Sequence, residues 1–312
     1  MDELILHHYP ASPFAEKIRS ILGAKGLAWR SVVIPVIMPK PDLTALTGGY
    51  RKTPVLQVGC DVYCDTYRIA QLLDELHPEP PVFRTEQAGV AVAAGRFFDS
   101  TLFFACIAHL FQPQVLATAF SDMPQAEAGG FAKDRAEMMR TARVPFPSID
   151  EARGILGDVL RRLDAQLGAR RGFLLGPEAG WADFCAFHPL RSLRMNAALV
   201  QELSPYRNVL AWLDRMAAFG NGGPTELSAA EALATARSAK PRALPASSGP
   251  PLDGIELGDE VEVAASDYGT EPVRGTLVHV GPDELALQRS DERAGTVVVH
   301  FPRAGFRIRK AG

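Results

Sequence analysis

The 312-residue sequence is poor in cysteine, nearly balanced in charge, and starts without a long apolar run. Each of these scarcities excludes something. Four cysteines (Cys60, Cys64, Cys106, Cys185) in so long a chain are not a disulfide framework. The Cys60–Cys64 spacing has no second ligand pair for zinc, so buried, inert thiols are predicted. No HExxH or other paired spacing makes a metal site of His7 and His8. A net charge of −3 gives no general electrostatic reason to bind nucleic acid or an anionic membrane surface. The opening Met1-Asp2-Glu3 and the short apolar run behind it are neither a secretory signal nor long enough to cross a bilayer. The expectation is a soluble, cytoplasmic protein whose partners are small molecules or other proteins.

What is present is a hydrophobic content of 47%, ample for two or three folded units. Residues 3–8 form an apolar run of strand length that Tyr9-Pro10 ends. A helix follows from about Ser12, with Phe14, Ile18, Ile21 and Leu22 at helical spacing, Glu16, Lys17 and Lys25 on other faces, and Gly26 as a stop. The β-branched run Trp29 to Val36 reads as a second strand, and Pro35 to Gly49 as an irregular, Pro-rich stretch. Thr53 to Val58 and Cys60 to Tyr63 read as an antiparallel hairpin turning at Gly59. Helix resumes at about Asp65-Thr66, with Ile69, Leu72, Leu73 and Leu76 on one face, and stops before Pro78.

Residues 1–80 thus predict a compact α/β unit, and 84–237 an all-helical one, with windows at Val90–Leu116, Phe131–Arg143, Ile149–Leu167, Trp181–Leu199 and Val209–Phe219 and no strand alternation between them. Phe97, Phe98, Phe103, Phe104 and Phe111 are either core or the wall of an apolar pocket. Residues 238–251 are rich in Pro, Ala and Ser and read as a linker. Residues 252–312 then carry five short strand patterns, at Glu260–Val263, Gly275–Val280, Glu284–Gln288, Thr296–Phe301 and Phe306–Arg309. They suggest a small SH3-like β-barrel whose closure hides its edges. From Leu252 onward there are seven Lys/Arg and eleven Asp/Glu, a net −4, so this unit is a poor candidate for phosphate-backbone binding. It reads as a module that packs on the body of the protein or on a dimer partner, or as an adaptor for a protein partner, with His300 to Phe306 the first place to look for a contact.

Ser12-Pro13-Phe14-Ala15-Glu16-Lys17-Ile18-Arg19, Thr53-Pro54-Val55-Leu56, Asp65-Thr66-Tyr67-Arg68-Ile69 and Gly180-Trp181-Ala182-Asp183 are four local matches, and in this order they make residues 3–220 resemble the cytosolic glutathione S-transferase superfamily, with its thioredoxin-like domain followed by a helical domain. The first is Ser12-Pro13-Phe14-Ala15-Glu16-Lys17-Ile18-Arg19, similar to the S-P-x-x-x-K-V-R of serine-type members. Where related classes carry cysteine this chain has Ser12, whose hydroxyl can only donate a hydrogen bond to the glutathione thiolate. Such a bond, at roughly 1.5–3 kcal/mol, lowers a thiol pKa by about one to two units. Read from the residues alone, Ser12 is an N-cap with Pro13 at the first helical position. Phe14 is carried over with this stretch as a glutathione contact.

The second match, Thr53-Pro54-Val55-Leu56, resembles the family's V-P-x-L, whose cis proline turns the preceding backbone towards the cysteinyl part of glutathione. Thr53 would supply that backbone, and Lys52 either meets the glycyl carboxylate or is a solvated lysine. In the third, Asp65-Thr66-Tyr67-Arg68-Ile69 is similar to E/D-S-x-x-I. The resemblance implies that Asp65 meets the γ-glutamyl ammonium, and that Thr66 with the helix N-terminal amides meets its carboxylate. The fourth, Gly180-Trp181-Ala182-Asp183, resembles the S-x-A-D capping box and is structural. Lining up the first helix places His8 about where tyrosine-type classes carry their thiol-activating tyrosine. It is the second catalytic candidate, beside the reading of a packed strand-end histidine.

The resemblance implies a homodimeric transferase that conjugates glutathione, as co-substrate and without metal, to an apolar or electrophilic small molecule. The competing expectation is a non-catalytic protein of the same scaffold that acts through its C-terminal module.

Overall fold

The structure, a computed structural model, describes residues 3–115, 125–170 and 172–312. Met1-Asp2 and Leu116, the last residue of one sequence window, lie outside the described residues. The first unit follows the predicted order: β1 (Ile5–His8), α1 (Pro13–Ala24), β2 (Ala28–Val33), a short α2 (Pro41–Thr47), β3 (Val55–Val58), β4 (Asp61–Cys64) and α3 (Thr66–Leu76). β1 pairs parallel with β2 and antiparallel with β3, and β3 pairs antiparallel with β4 through the turn at Gly59, whose φ of 62° suits glycine. α2 corrects the irregular stretch predicted there. It is a short helix with Pro41 at its first turn and Gly48 as a left-handed C-cap at φ 75°, start and stop signals that the surrounding prolines obscure.

The helical unit contains α4 (Ala88–Phe97), a π-helical turn at Phe98–Leu102, α5 (Phe103–Leu110), α6 (Gln125–Met139), α7 (Ile149–Arg170), α8 (Trp181–Arg194), α9 (Val200–Leu203) and α10 (Arg207–Ala217). The run 88–110 is long and apolar enough to cross a membrane by length and composition. Its second half packs into the protein, with Leu102, Phe104 and Cys106 buried and α5 against α7 and α8, while Val90 and Phe97 in the first half are exposed. The helix expected over 90–116 runs through the described residues 88–110 with a π-turn inside it, which sets Asp99 facing α1 and α8.

One strand lies inside the stretch that reads as helical. β5 (Gly223–Glu226) is wholly exposed and carries no alternation, yet it pairs parallel with β2. The following α11 (Ala229–Ser238) packs Ala232, Leu233 and Ala236 back against the first unit.

The five C-terminal strands form where the sequence places them: β6 (Glu260–Ala265), β7 (Val273–Val280), β8 (Glu284–Asp291), β9 (Gly295–Pro302) and β10 (Phe306–Lys310). They pair in the order β10-β6-β7-β8-β9, but β9 does not return to β10. Its outer edge pairs parallel with β4, so one ten-stranded sheet, β10-β6-β7-β8-β9-β4-β3-β1-β2-β5, runs through both units. The edge that barrel closure was expected to hide is covered by β4 instead. Backbone N–H and C=O groups carry that pairing, so no side-chain pattern announces it. At the seam His300 stacks on Tyr63 at 4.2 Å and pairs with Asp61 at 2.9 Å and with Glu284. Of the stretch His300 to Phe306, expected as an external contact, the aromatic residues thus face inward, with Phe301 and Phe306 packed on Tyr50, while Ala304 and Gly305 are exposed.

Two main cores result. One joins α1 and α3 to the helical unit around Ile18, Ile69, Leu72, Phe184 and Trp212; the other fills the opposite side of the sheet with Ile5, Leu46, Val62, Leu233, Val263 and Phe301. Because α1 lies between the sheet and α8, it is buried nearly all round, and Glu16, Lys17 and Lys25 are inside although the helical pattern sets them off the apolar face.

Candidate functional site

A cleft of about 700 Å³ lies between the first unit and the helices. The start of α1 forms one wall. Ser12 is its N-cap, 3% exposed, and its Oγ accepts from the Ala15 N–H at 3.2 Å, leaving the hydroxyl proton to donate. Pro13 holds the first helical position because its missing N–H would have no partner there. Phe14 follows, packed on Phe103 at 4.7 Å and His188 at 4.6 Å.

The loop before β3 and the start of α3 form the adjoining wall. Thr53–Pro54 is a cis peptide, and Lys52, Thr53, Pro54, Asp65 and Thr66 all line the cleft with Ser12 and Phe14. Asp65 caps α3 by accepting from the Tyr67 N–H at 2.9 Å, and its φ of 75° makes it the positive-φ non-glycine among the described residues. Burial pushes its carboxyl above the usual range, opposed by Lys52, the Tyr67 N–H and Lys17. A ligand ammonium set beside it would favour the ionised form. Lys52 is not a solvated lysine. Its ammonium lies 2.5 Å from Asp267 and 4.2 Å from the centre of the Tyr268 ring, both from the loop joining β6 to β7.

His8 stands apart from this group. Successive strand residues face opposite sides: the pleat sends Tyr9 to the cleft and His8 to the β2 side, against Trp29 at 5.4 Å. Its Nε2 bonds Ser31 Oγ at 2.9 Å, and Arg19 lies 2.9 Å from its Nδ1. Burial and the Arg19 charge lower its pKa to about 4, so it is neutral and outside the cleft, which corrects the catalytic position expected for it. His7 is likewise internal, bonded to Gln57 at 2.8 Å.

Sequence reasoning misses a buried charge cluster behind Phe14. Lys17 is 0% exposed, and its ammonium sits 2.7 Å from Asp99, which also meets His188 Nε2 at 2.9 Å. Burial would raise the Asp99 pKa, but Lys17 and His188 outweigh it and hold the carboxylate below its usual range. Burial lowers His188 to about 4, so its neutral ring donates to Asp99. Lys17 stands within the quoted motif, and only its burial is illegible there. Asp99 and His188 carry no local signal.

The far wall is apolar, built from Phe103, Phe104, Ile107, Phe111, Met138 and Phe146. Of the five phenylalanines singled out in the sequence, Phe103, Phe104 and Phe111 face the cleft, Phe98 is core and Phe97 is exposed. The four cysteines are free and buried, and none lines the cleft; burial pushes the Cys60 thiol up to about 11. Asp183 completes the fourth motif. It accepts from the Gly180 N–H at 3.1 Å, the Leu174 N–H at 2.8 Å and the Trp212 indole at 2.9 Å, and lies away from the cleft.

The arrangement sets a hydroxyl donor and two helix starts opposite an apolar wall, which suits a small anionic, zwitterionic ligand beside a hydrophobic one. The family model for the glutathione S-transferase N-terminal domain matches residues 6–81, and that for the C-terminal domain residues 146–215. No curated protein matches the sequence. Among solved structures, a GST-like protein from Pseudomonas syringae aligns at TM-score 0.84 and 40% identity over 100% of both chains, so the likeness runs through the C-terminal strands. Beta-etherase LigF from Sphingobium sp. strain SYK-6 aligns at TM-score 0.52 and 20% identity, over 69% of this chain and 95% of its own. A glutathione S-transferase from Rhodospirillum rubrum F11 aligns at 0.50 and 19%, over 69% and 88%. The last two likenesses are of fold.

Proposed function

Since the chain belongs to the glutathione S-transferase family, we propose that it binds glutathione along Ser12, Thr53, Asp65 and Thr66 and directs the thiolate onto an electrophile resting on Phe103 and Phe104. The observation that carries this reading is the meeting of these four residues on one side of a cleft whose other side is apolar. In it, the Ser12 hydroxyl donates to the sulfur, and the α1 N-terminus adds its partial positive charge, which together favour the thiolate. Asp65 pairs with the γ-glutamyl ammonium, while Thr66 and the first amides of α3 hold the neighbouring carboxylate. Phe14 supports the Ser12 turn. Catalysis comes from thiolate stabilisation and proximity, without a covalent enzyme intermediate. The family resemblance further supports a two-fold homodimer in the cytosol, which light scattering and fractionation test.

Calorimetry with glutathione tests the reading. Binding at millimolar ligand or below, together with thiolate absorbance of the bound thiol near neutral pH, is the expected result. No heat at millimolar glutathione sinks the enzyme reading and leaves the scaffold as an interaction protein.

A further inference from the structure

The loop 266–272, between β6 and β7, leaves the C-terminal strands and crosses to the mouth of the cleft. It is anchored on both sides. Towards the sheet, Asp267 accepts from Lys52 at 2.5 Å and Glu271 from Arg51 at 2.8 Å. Towards the helices, the Arg143 N–H donates to the Asp267 carbonyl at 2.7 Å and the Gly269 N–H to the Met138 carbonyl at 3.1 Å. The hydroxyls of Thr270 and Thr141 meet at 2.7 Å. Gly269 turns the loop at φ +58°, so near Met138 that a Cβ would lie 3.3 Å from its methyl.

These anchors hold Tyr268 in the cleft. Its ring lies between the Lys52 ammonium, 4.2 Å from the ring centre, and Phe104 at 5.6 Å. It therefore stands where the polar wall gives way to the apolar one. The residue is half-buried, and among the described residues its hydroxyl has no hydrogen-bond partner, which leaves it to donate into the cleft. Burial first, then the nearby carboxylates of Asp267, Asp65 and Asp99, push its pKa well above 10, so the phenol keeps its proton. A ligand seated on the ring displaces the water that would meet this donor, and one that carries an acceptor replaces the lost bond.

Resting on the reading of the cleft as a glutathione-conjugating site, we propose that Tyr268 is a substrate-contacting residue that selects aryl electrophiles carrying an oxygen acceptor, such as conjugated aryl ketones, by hydrogen-bonding that oxygen. In this addition the thiolate sulfur bonds to the β-carbon, the C=C pair shifts towards the carbonyl, and negative charge gathers on oxygen. The phenol holds that oxygen while the proton lost by the thiol returns from solvent to the α-carbon. Nothing leaves, and no oxidant or reductant is required.

S-phenacylglutathione and S-benzylglutathione differ by one carbonyl beside the aromatic ring and probe the contact without turnover. Each is titrated, alongside glutathione, into the full chain and into Tyr268→Phe, which keeps the ring contacts with Lys52 and Phe104. The substitution should weaken the phenacyl conjugate about 5–10-fold and leave the benzyl conjugate and glutathione within about twofold. Equal weakening of both conjugates, or no change in either, overturns the assignment while glutathione binding stands. A wild type that binds no glutathione overturns the underlying reading, and this assignment with it.

Discussion

Lys52 and Asp267 are 215 positions apart in the sequence and 2.5 Å apart in the fold. The pair fastens the C-terminal strands to the polar wall of the cleft, so the cation beside Thr53 already has a counter-charge there. Lys52→Ala would leave the Asp267 carboxylate facing an anionic ligand without compensation. Glutathione binding should weaken about 10-fold, and Lys52→Ala/Asp267→Ala should recover part of the loss. Calorimetry of the single and double variants checks this, and equal affinities in the two would refute the coupling.

Ser12 serves as cap and proposed thiolate donor at once, and one substitution separates the two. Ser12→Ala should cost about 1 kcal/mol of stability through the lost cap. It should also raise the pKa of bound glutathione by about one to two units and cut conjugation near neutral pH at least tenfold. Urea denaturation reads the first effect and thiolate absorbance against pH the second. A stability loss with an unchanged thiol pKa would reduce Ser12 to a cap.

Lys17 is fully buried against Asp99 and His188. Lys17→Met removes the ammonium that meets the Asp99 carboxylate there and should cost about 3 kcal/mol. Adding Asp99→Asn should restore much of it. Chemical denaturation of both variants decides the matter, and an equally unstable double variant would assign the loss to packing.

The His300 seam makes stability depend on pH. Burial opposes the imidazolium, but Asp61 and Glu284 outweigh it and hold the His300 pKa above 6.5; Arg68, Tyr63 and His279 also face this cluster. The folded chain therefore keeps a proton that the unfolded chain releases. The stabilisation is complete below about pH 6.5 and is lost as pH rises through the folded value. The melting temperature should fall as pH rises above about 6.5. His300→Gln should melt lower at about pH 6, by about 3 kcal/mol of stability, and vary less with pH. A parallel pH profile in the variant would exclude His300 as the source.

Much of this architecture is legible in the sequence because its signals are local. Ser12-Pro13, Thr53-Pro54 and Asp65-Thr66 mark strand and helix starts, and the fold brings them to one cleft because those starts share an end of the sheet. The five C-terminal strands are readable from alternation and turns. Their union with β4 is not, since edge pairing uses the backbone alone, and neither is β5, which is exposed and unpatterned. His8 is misplaced by linear alignment because a one-residue difference in a strand exchanges the two faces. Asp99, Asp267 and Tyr268 carry no motif; a π-turn and a long-range loop deliver them.

The continuous sheet also bears on how the chain comes off the ribosome. β4 is made early, but its outer partner is β9, with Asp61 paired to Val298, and β2 waits for β5, with Ala28 paired to Gly223. Until residues 223–226 have been made the first four strands expose two unpaired edges, each a template for another chain. β9 caps the outer edge of β4, so a chain truncated before β9 carries an open edge at Asp61–Cys64, and closing that edge waits until residues 295–302 have been made.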